Sequence, residues 1–242
     1  MPRFSRARAI AVRAGRLNAD AVVDAALDLI ARSGLEGLSM RALGQALGVE
    51  AMSLYHWFPA KERLLDAIAD RLIAEVELPP LPATSDAWRR WMTQVARAYR
   101  RMGLAHPRAF PLIAGRRFLS PSAVVFIQKT IAANRIAGFD LRQAARLTRT
   151  IGAAVNGIVL AELAAPALPP TAAAKSGRTE PGRGVAEPPA LEEKDWNAVL
   201  RFFSHPELDG AFEYGLGCLL DGALRTRRDA RRNHKGRIPS AG

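Results

Sequence analysis

The segment SMRALGQALGVEAMSLYHWF, residues 39 to 58, leaves its backbone few choices. Ser39 is a good helix N-cap, and Met40, Leu43, Ala46 and Leu47 recur at helical spacing. Gly48 breaks the run, and it tolerates the positive φ of a tight turn. A second helix of about two turns should cover Glu50 to Trp57, with Pro59 ending it. Gly44, without a side chain, leaves room for the two helices to cross closely. Leu43, Leu47, Val49, Leu54 and Phe58 supply the inward face. At about 100° per residue, Leu54 and Phe58 point inward together. Met52 and His56 then lie opposite, with Ser53 and Tyr55 on the flanks. This is the pattern of a helix-turn-helix.

The flanking sequence completes a module. Asn18 caps a first helix, Asp20 suits the positive end of its dipole, and Leu17 can staple onto Val22. Val22, Val23, Ala26, Leu27, Ile30 and Ala31 form its apolar stripe, which ends at Gly34, a residue suited to a left-handed C-cap. Pro59 opens a fourth helix with Leu64, Leu65, Ile68, Leu72 and Ile73 on one side, running to Pro79-Pro80. Residues 18–78 thus read as a helix-turn-helix domain with its connecting helix, and PPLPATSD, residues 79–86, as a connector.

Beyond it, Trp88 to Gly103, Pro107 to Arg117, Pro121 to Gly138, Leu141 to Ala165 and Pro206 to Arg232 read as helices, with few β-branched alternations to suggest strands. The fold class expected is all-α: a three-helix N-terminal domain and a second helical domain over 85–232. Residues 166–190 hold six prolines and three glycines, so 166–194 is expected to be a flexible loop. Residues 1–17 and 233–242 complete the chain as a flexible basic arm and a basic tail.

Charge matters here by its location. The chain has a formal net charge of +12, but residues 1–17 contribute +5 and residues 225–242 contribute +6. Residues 18–70, the helix-turn-helix region, carry a net −4. An anionic partner is therefore indicated by the termini and by the motif rather than by a uniformly basic body. The single Cys218 excludes an intramolecular disulfide and reads as a small core residue. The N-terminus lacks the apolar stretch of a signal peptide, and no run reaches eighteen consecutive apolar residues, so a cytoplasmic protein without a membrane partner is expected.

Enzyme signatures are missing from the sequence. It contains no GxSxG, P-loop or HExxH, and the glycines of GLG at 215–217 lie inside a helical pattern rather than after a strand. Histidines 56, 106, 205 and 234 have no metal-ligand spacing, so neither a metal site nor a cofactor is expected.

Residues 18–66, ending in GLEGLSMRALGQALGVEAMSLYHWFPAKERLL, resemble the DNA-binding domain of the TetR family of transcriptional repressors. The helix-turn-helix, the L-Y-x-x-F ending and F-P-x-K-E-x-L-L occur together in the family's order. His106-Pro107 and FEYGLGCLLDGAL, residues 212–224, look like the branch whose regulatory domain is similar to that of the tetracycline repressor.

The resemblance implies that Arg41, Ala51, Met52 and Ser53 meet base edges of double-stranded operator DNA, while Ser39, Tyr55, His56, Trp57 and Lys61 meet phosphates. Two departures concern stability: Gly44 stands where the family usually has alanine, and Ala60 where it has a serine or asparagine cap. The basic arm, beside a domain of net −4, could lie along phosphates or in the minor groove.

One such domain covers one half-site, so a homodimer with reading helices about 34–36 Å apart, or wider, is expected. Leu141 to Ala165 and Pro206 to Arg225 are the best candidates for its four-helix interface. The family mechanism adds a small-molecule effector, of unknown identity, whose signal the helix at 60–77 would transmit to DNA. Trp91, Met102, His106, Phe110, Arg116, Phe118 and Asn156 are candidate pocket residues, being polar or aromatic on otherwise apolar helices. Control by a protein partner, or transcriptional activation, is the alternative.

Overall fold

The computed structural model describes residues 17–115, 120–164 and 208–235, together with 192, 194, 195 and 199, and in the last helix it describes side chains through Arg227. The expected basic arm, the pocket candidates Arg116 and Phe118, nearly all of the expected loop and most of the basic tail lie outside these residues. Among the described residues there are nine helices and no strand, as an all-α chain requires. They are α1 (Ala19–Ser33), α2 (Met40–Leu47), α3 (Ala51–Leu54), α4 (Lys61–Ala74), α5 (Trp88–Ala105), α6 (Phe110–Gly115), α7 (Pro121–Ile136), α8 (Leu141–Ala164) and α9 (Leu208–Lys235). The chain forms two compact units, up to Ala153 and from Ala154.

In the first unit, α1 packs on α2 and α4, and α2 packs on α3. Val22, Ala26, Ile30, Leu43, Leu54, Leu64, Ile68 and Leu72 are fully enclosed. The helix starts follow their caps: Asn18 Oδ1 accepts from the Ala21 amide at 2.8 Å and Ser39 Oγ from the Ala42 amide at 3.1 Å. Gly48 closes α2 with φ 70° and ψ 31°. Its own amide and that of Val49 turn back onto Gln45 O and Gly44 O, satisfying two end carbonyls. Since a Cβ on Gly48 would meet nothing within 4 Å, Gly48→Ala isolates the backbone cost. Chemical denaturation should show a loss of about 1 kcal/mol.

Helix α4 also packs against α5, α6 and α7, and α5 against α7, which extends the unit beyond the helix-turn-helix region. A polar cluster centred on the fully buried Trp88 and Asn134 fastens this part. The Trp88 indole N–H donates to Asn134 Oδ1 at 2.8 Å, and Asn134 Nδ2 donates to Thr148 Oγ1 at 3.0 Å and to Ala144 O at 3.2 Å. One side chain of α7 thus holds α5 and α8 in register.

In the second unit, the later part of α8 buries Val155, Val159 and Glu162, and α9 buries Phe212, Leu216 and Leu220. A Cβ on Gly215 would lie 3.5 Å from Ile158 Cδ1, so the two helices approach closely there. Helix α8 is long and largely apolar. Its best 18-residue window has a mean hydropathy of 1.2 with few charges, so by length and composition it could cross a membrane. Only 22% of that window is buried, and Cys218, read as a core residue, is exposed on α9.

Candidate nucleic-acid interface

The turn and the two short helices set the site. A Cβ on Gly44 would lie 2.8 Å from Val49 O and 3.2 Å from Ala51 N, so glycine is what lets the start of α3 sit against α2. Opposite faces of α3 then separate cleanly: Leu54 is 0% and Met52 76% exposed. Phe58 is buried with Leu54, while Ser53, Tyr55, His56 and Trp57 are exposed. Ala51 is half-buried.

Helix α3 is shorter than the sequence suggests. Regular helix covers Ala51–Leu54, and Tyr55 to Trp57 continue as a turn, where the Trp57 and Phe58 amides both donate to Leu54 O. Three features shorten it. Glu50 at the cap makes no side-chain bond, Ser53 Oγ donates to Glu50 O at 2.6 Å, and Pro59 disfavours helical backbone at Phe58. The turn splays the aromatic run, leaving the His56 and Trp57 rings edge to face with centroids 5.0 Å apart.

Arg41 is exposed on α2. Ser39 uses a hydroxyl lone pair as the α2 cap and keeps its proton free to donate outward. Lys61, at the start of α4, is half-buried and donates from Nζ to Leu38 O at 2.6 Å, leaving two ammonium protons. Two exposed residues absent from the sequence reading belong to this surface. Gln45 stands one helical turn after Arg41, a spacing that could have revealed it. Glu50 is the N-cap of α3 and brings a negative charge to this surface.

Part of the acidity of the region is engaged elsewhere. Arg71 of α4 binds Asp20 at 2.7 Å and Asp24 at 2.9 Å, both on α1. Arg108, in the turn after α5, donates to Arg32 O at the end of α1. What α2 and α3 present is therefore a small protruding surface carrying a guanidinium, an amide, hydroxyls and two large aromatic rings. Such a surface suits a groove with hydrogen-bonding edges between two anionic walls.

The described pocket candidates fall in both units. Trp91 is buried with its indole N–H on Pro80 O at 2.9 Å, so it fastens the connector. His106 Nε2 lies 2.7 Å from Glu75 Oε2, joining the end of α5 to the end of α4. Met102 and Phe110 are buried in the first unit, whereas Asn156 is half-buried in the second. Tyr99 and Phe126, which the sequence reading passed over, form an aromatic cluster around Phe110: Tyr99 lies 5.9 Å from each of the other two rings. Among the described residues no three His, Cys, Asp or Glu side chains gather as a metal site.

Comparison with known proteins agrees with this geometry. Residues 22–68 match the family described as bacterial regulatory proteins, tetR family, and residues 81–227 match the tetracyclin repressor-like C-terminal domain. The tetracycline repressor protein class A from transposon 1721 of Escherichia coli is 33% identical over 225 residues, covering 91% of this chain and 96% of that protein. A crystal structure of a possible TetR family transcriptional regulator from Streptomyces coelicolor A3(2) is 31% identical with a TM-score of 0.66, covering 86% of this chain and 99% of the other. A variant TetR from Acinetobacter baumannii AYE, solved in complex with minocycline, is 25% identical with a TM-score of 0.64, covering 88% and 99%. With both regions matched and the reading surface in place, the chain belongs to the TetR family, as a dimeric, ligand-responsive DNA-binding transcriptional regulator and not an enzyme.

Proposed function

We propose that this chain is a cytoplasmic repressor that binds a palindromic operator as a homodimer and is released by a small molecule. The observation that carries the DNA contact is the division of α3 into a buried side, Leu54, and an exposed side, Met52 and Ser53. On this reading Arg41 and Gln45 address guanine and adenine edges, and Ala51 and Met52 touch thymine methyls. Ser53, with its hydroxyl proton on Glu50 O, offers lone pairs to base amino groups. Ser39, Tyr55, His56, Trp57 and the remaining Lys61 protons face phosphates.

Dimerisation fits the surfaces of the second unit. Gly157, Ala161 and Ala164 recur along one exposed side of α8, and α9 exposes Tyr214 and Cys218. Small side chains let helices approach closely, so a second copy covering α8 and α9 would hide the apolar surface that a single chain leaves bare. The effector would meet the aromatic cluster of Tyr99, Phe110 and Phe126 in the first unit. The kinship with a tetracycline repressor, and the minocycline complex of another relative, support a small molecule over a protein partner.

Footprinting on DNA upstream of its own and neighbouring genes tests the proposal. The expected result is one protected, two-fold symmetric site whose affinity falls steeply with salt. Protection of no site, or equal protection of all sequences, would contradict it.

A further inference from the structure

Helix α4 makes polar connections to both of its sides from adjacent residues. Arg71 grips α1 through Asp20 and Asp24. Asp70, the residue before it, accepts from the Ser122 backbone amide of α7 at 2.8 Å. That second bond is unusual in what it replaces. Ser120 occupies the N-cap position of α7 with a suitable extended backbone, yet its side chain caps nothing and its Oγ is buried without a hydrogen-bond partner. The first turn of α7 is capped from another helix, by a carboxylate that suits the positive end of a helix dipole.

Asp70 and Arg71 are about 1.5 Å apart along the axis of α4 and about 100° apart around it. Within one helix they move together. Any tilt or rotation of α4 that follows α1 onto DNA therefore changes the Asp70 to Ser122 bond as well. Glu75, one turn further along α4, adds a contact to His106 and fixes the end of the same rod.

We propose that Asp70 and Arg71 form a two-ended latch through which operator DNA and the first turn of α7 sense one another. The inference rests on the regulatory reading above and specifies the residues that carry its signal. Asp70 and Arg71 are positioning residues: neither is placed among the DNA contacts. Linkage makes the coupling reciprocal, so it can be measured from the DNA side without knowing the effector.

The test is residue-resolved amide hydrogen exchange of the full-length homodimer, free and saturated with the duplex recovered by footprinting, with a scrambled duplex as control. The Ser122 amide reports the Asp70 bond, and the Val124 amide, bonded to Ser120 O, reports whether α7 is still formed. Operator duplex is expected to slow Ser122 exchange by about fivefold or more, the lower end of ordinary allosteric coupling. Arg71→Gln should reduce that effect to less than about twofold, below that coupling range, while the operator still binds. Asp70→Ala should leave Ser122 fast in both states with Val124 still protected. Unchanged Ser122 exchange on a fully bound wild-type protein, or an undiminished effect in Arg71→Gln, would overturn the latch and leave the regulatory reading standing. Absence of operator binding by the wild type would overturn both.

Discussion

Leu54→Ala is expected to lower the stability of the helix-turn-helix region by about 3 kcal/mol, whereas Met52→Ala, two positions earlier, should leave it within about 0.5 kcal/mol. The contrast follows from one half-turn of helix. Leu54 is fully enclosed, and removing most of its side chain leaves a cavity that the helices packed around it cannot fill without moving. Met52 is 76% exposed and packs against little. Denaturant titration followed by far-ultraviolet circular dichroism measures both. Binding should divide the other way for Met52→Ala, which loses operator affinity although it keeps its fold. A destabilised Met52→Ala beside an unaffected Leu54→Ala would mean that α3 is rotated by half a turn from the orientation described.

The second large effect concerns the buried cluster around Asn134. Asn134→Leu should cost about 2 kcal/mol, because it leaves the fully buried Trp88 indole N–H without its acceptor and removes the bond to the half-buried Thr148 hydroxyl. Trp88→Phe removes the indole donor instead. In the double variant the orphaned N–H is gone, so its cost should fall short of the sum of the two single costs by about 1 kcal/mol or more. The coupling comes from denaturation midpoints of all four proteins in a double-mutant cycle. Additive costs would show that the indole hydrogen bond contributes nothing to holding α5 on α7.

These two effects also mark where sequence reading succeeds and where it stops. The inward set of the helix-turn-helix was legible because its determinants lie within about twenty residues: Ser39 as a cap, Gly48 with its positive φ, and Leu54 and Phe58 one turn apart. The length of α3 was not legible. Apolar spacing supports two turns from Glu50, but the Ser53 side chain and Pro59 act against the backbone ladder after one. Asn134, Arg71 and Asp70 are ordinary helix-surface residues by pattern. Their partners lie 46, 51 and 52 positions away, so their roles exist only once the helices are packed.

The candidate pocket residues show the same limit. Trp91 and His106 were chosen for their side-chain chemistry, but a connector carbonyl engages the first and Glu75 the second. Tyr99 and Phe126 were passed over, although packing of α5 against α7 brings the Phe126 ring to Tyr99, which also meets Phe110. Aromatic residues on amphipathic helices look like core in a sequence, and which of them share a neighbourhood is decided by helix crossings.

The central claim is that the exposed side of α3 reads operator DNA. Fluorescence anisotropy with the footprinted duplex, carried out for the wild type and for Met52→Ala/Ser53→Ala in the presence of random competitor DNA, tests it most directly. The wild type is expected to prefer its site over random duplex by at least about a thousandfold, and the double variant to lose most of that preference while its salt dependence and stability stay the same. A wild type that binds every duplex alike, or a double variant with undiminished preference, would contradict it.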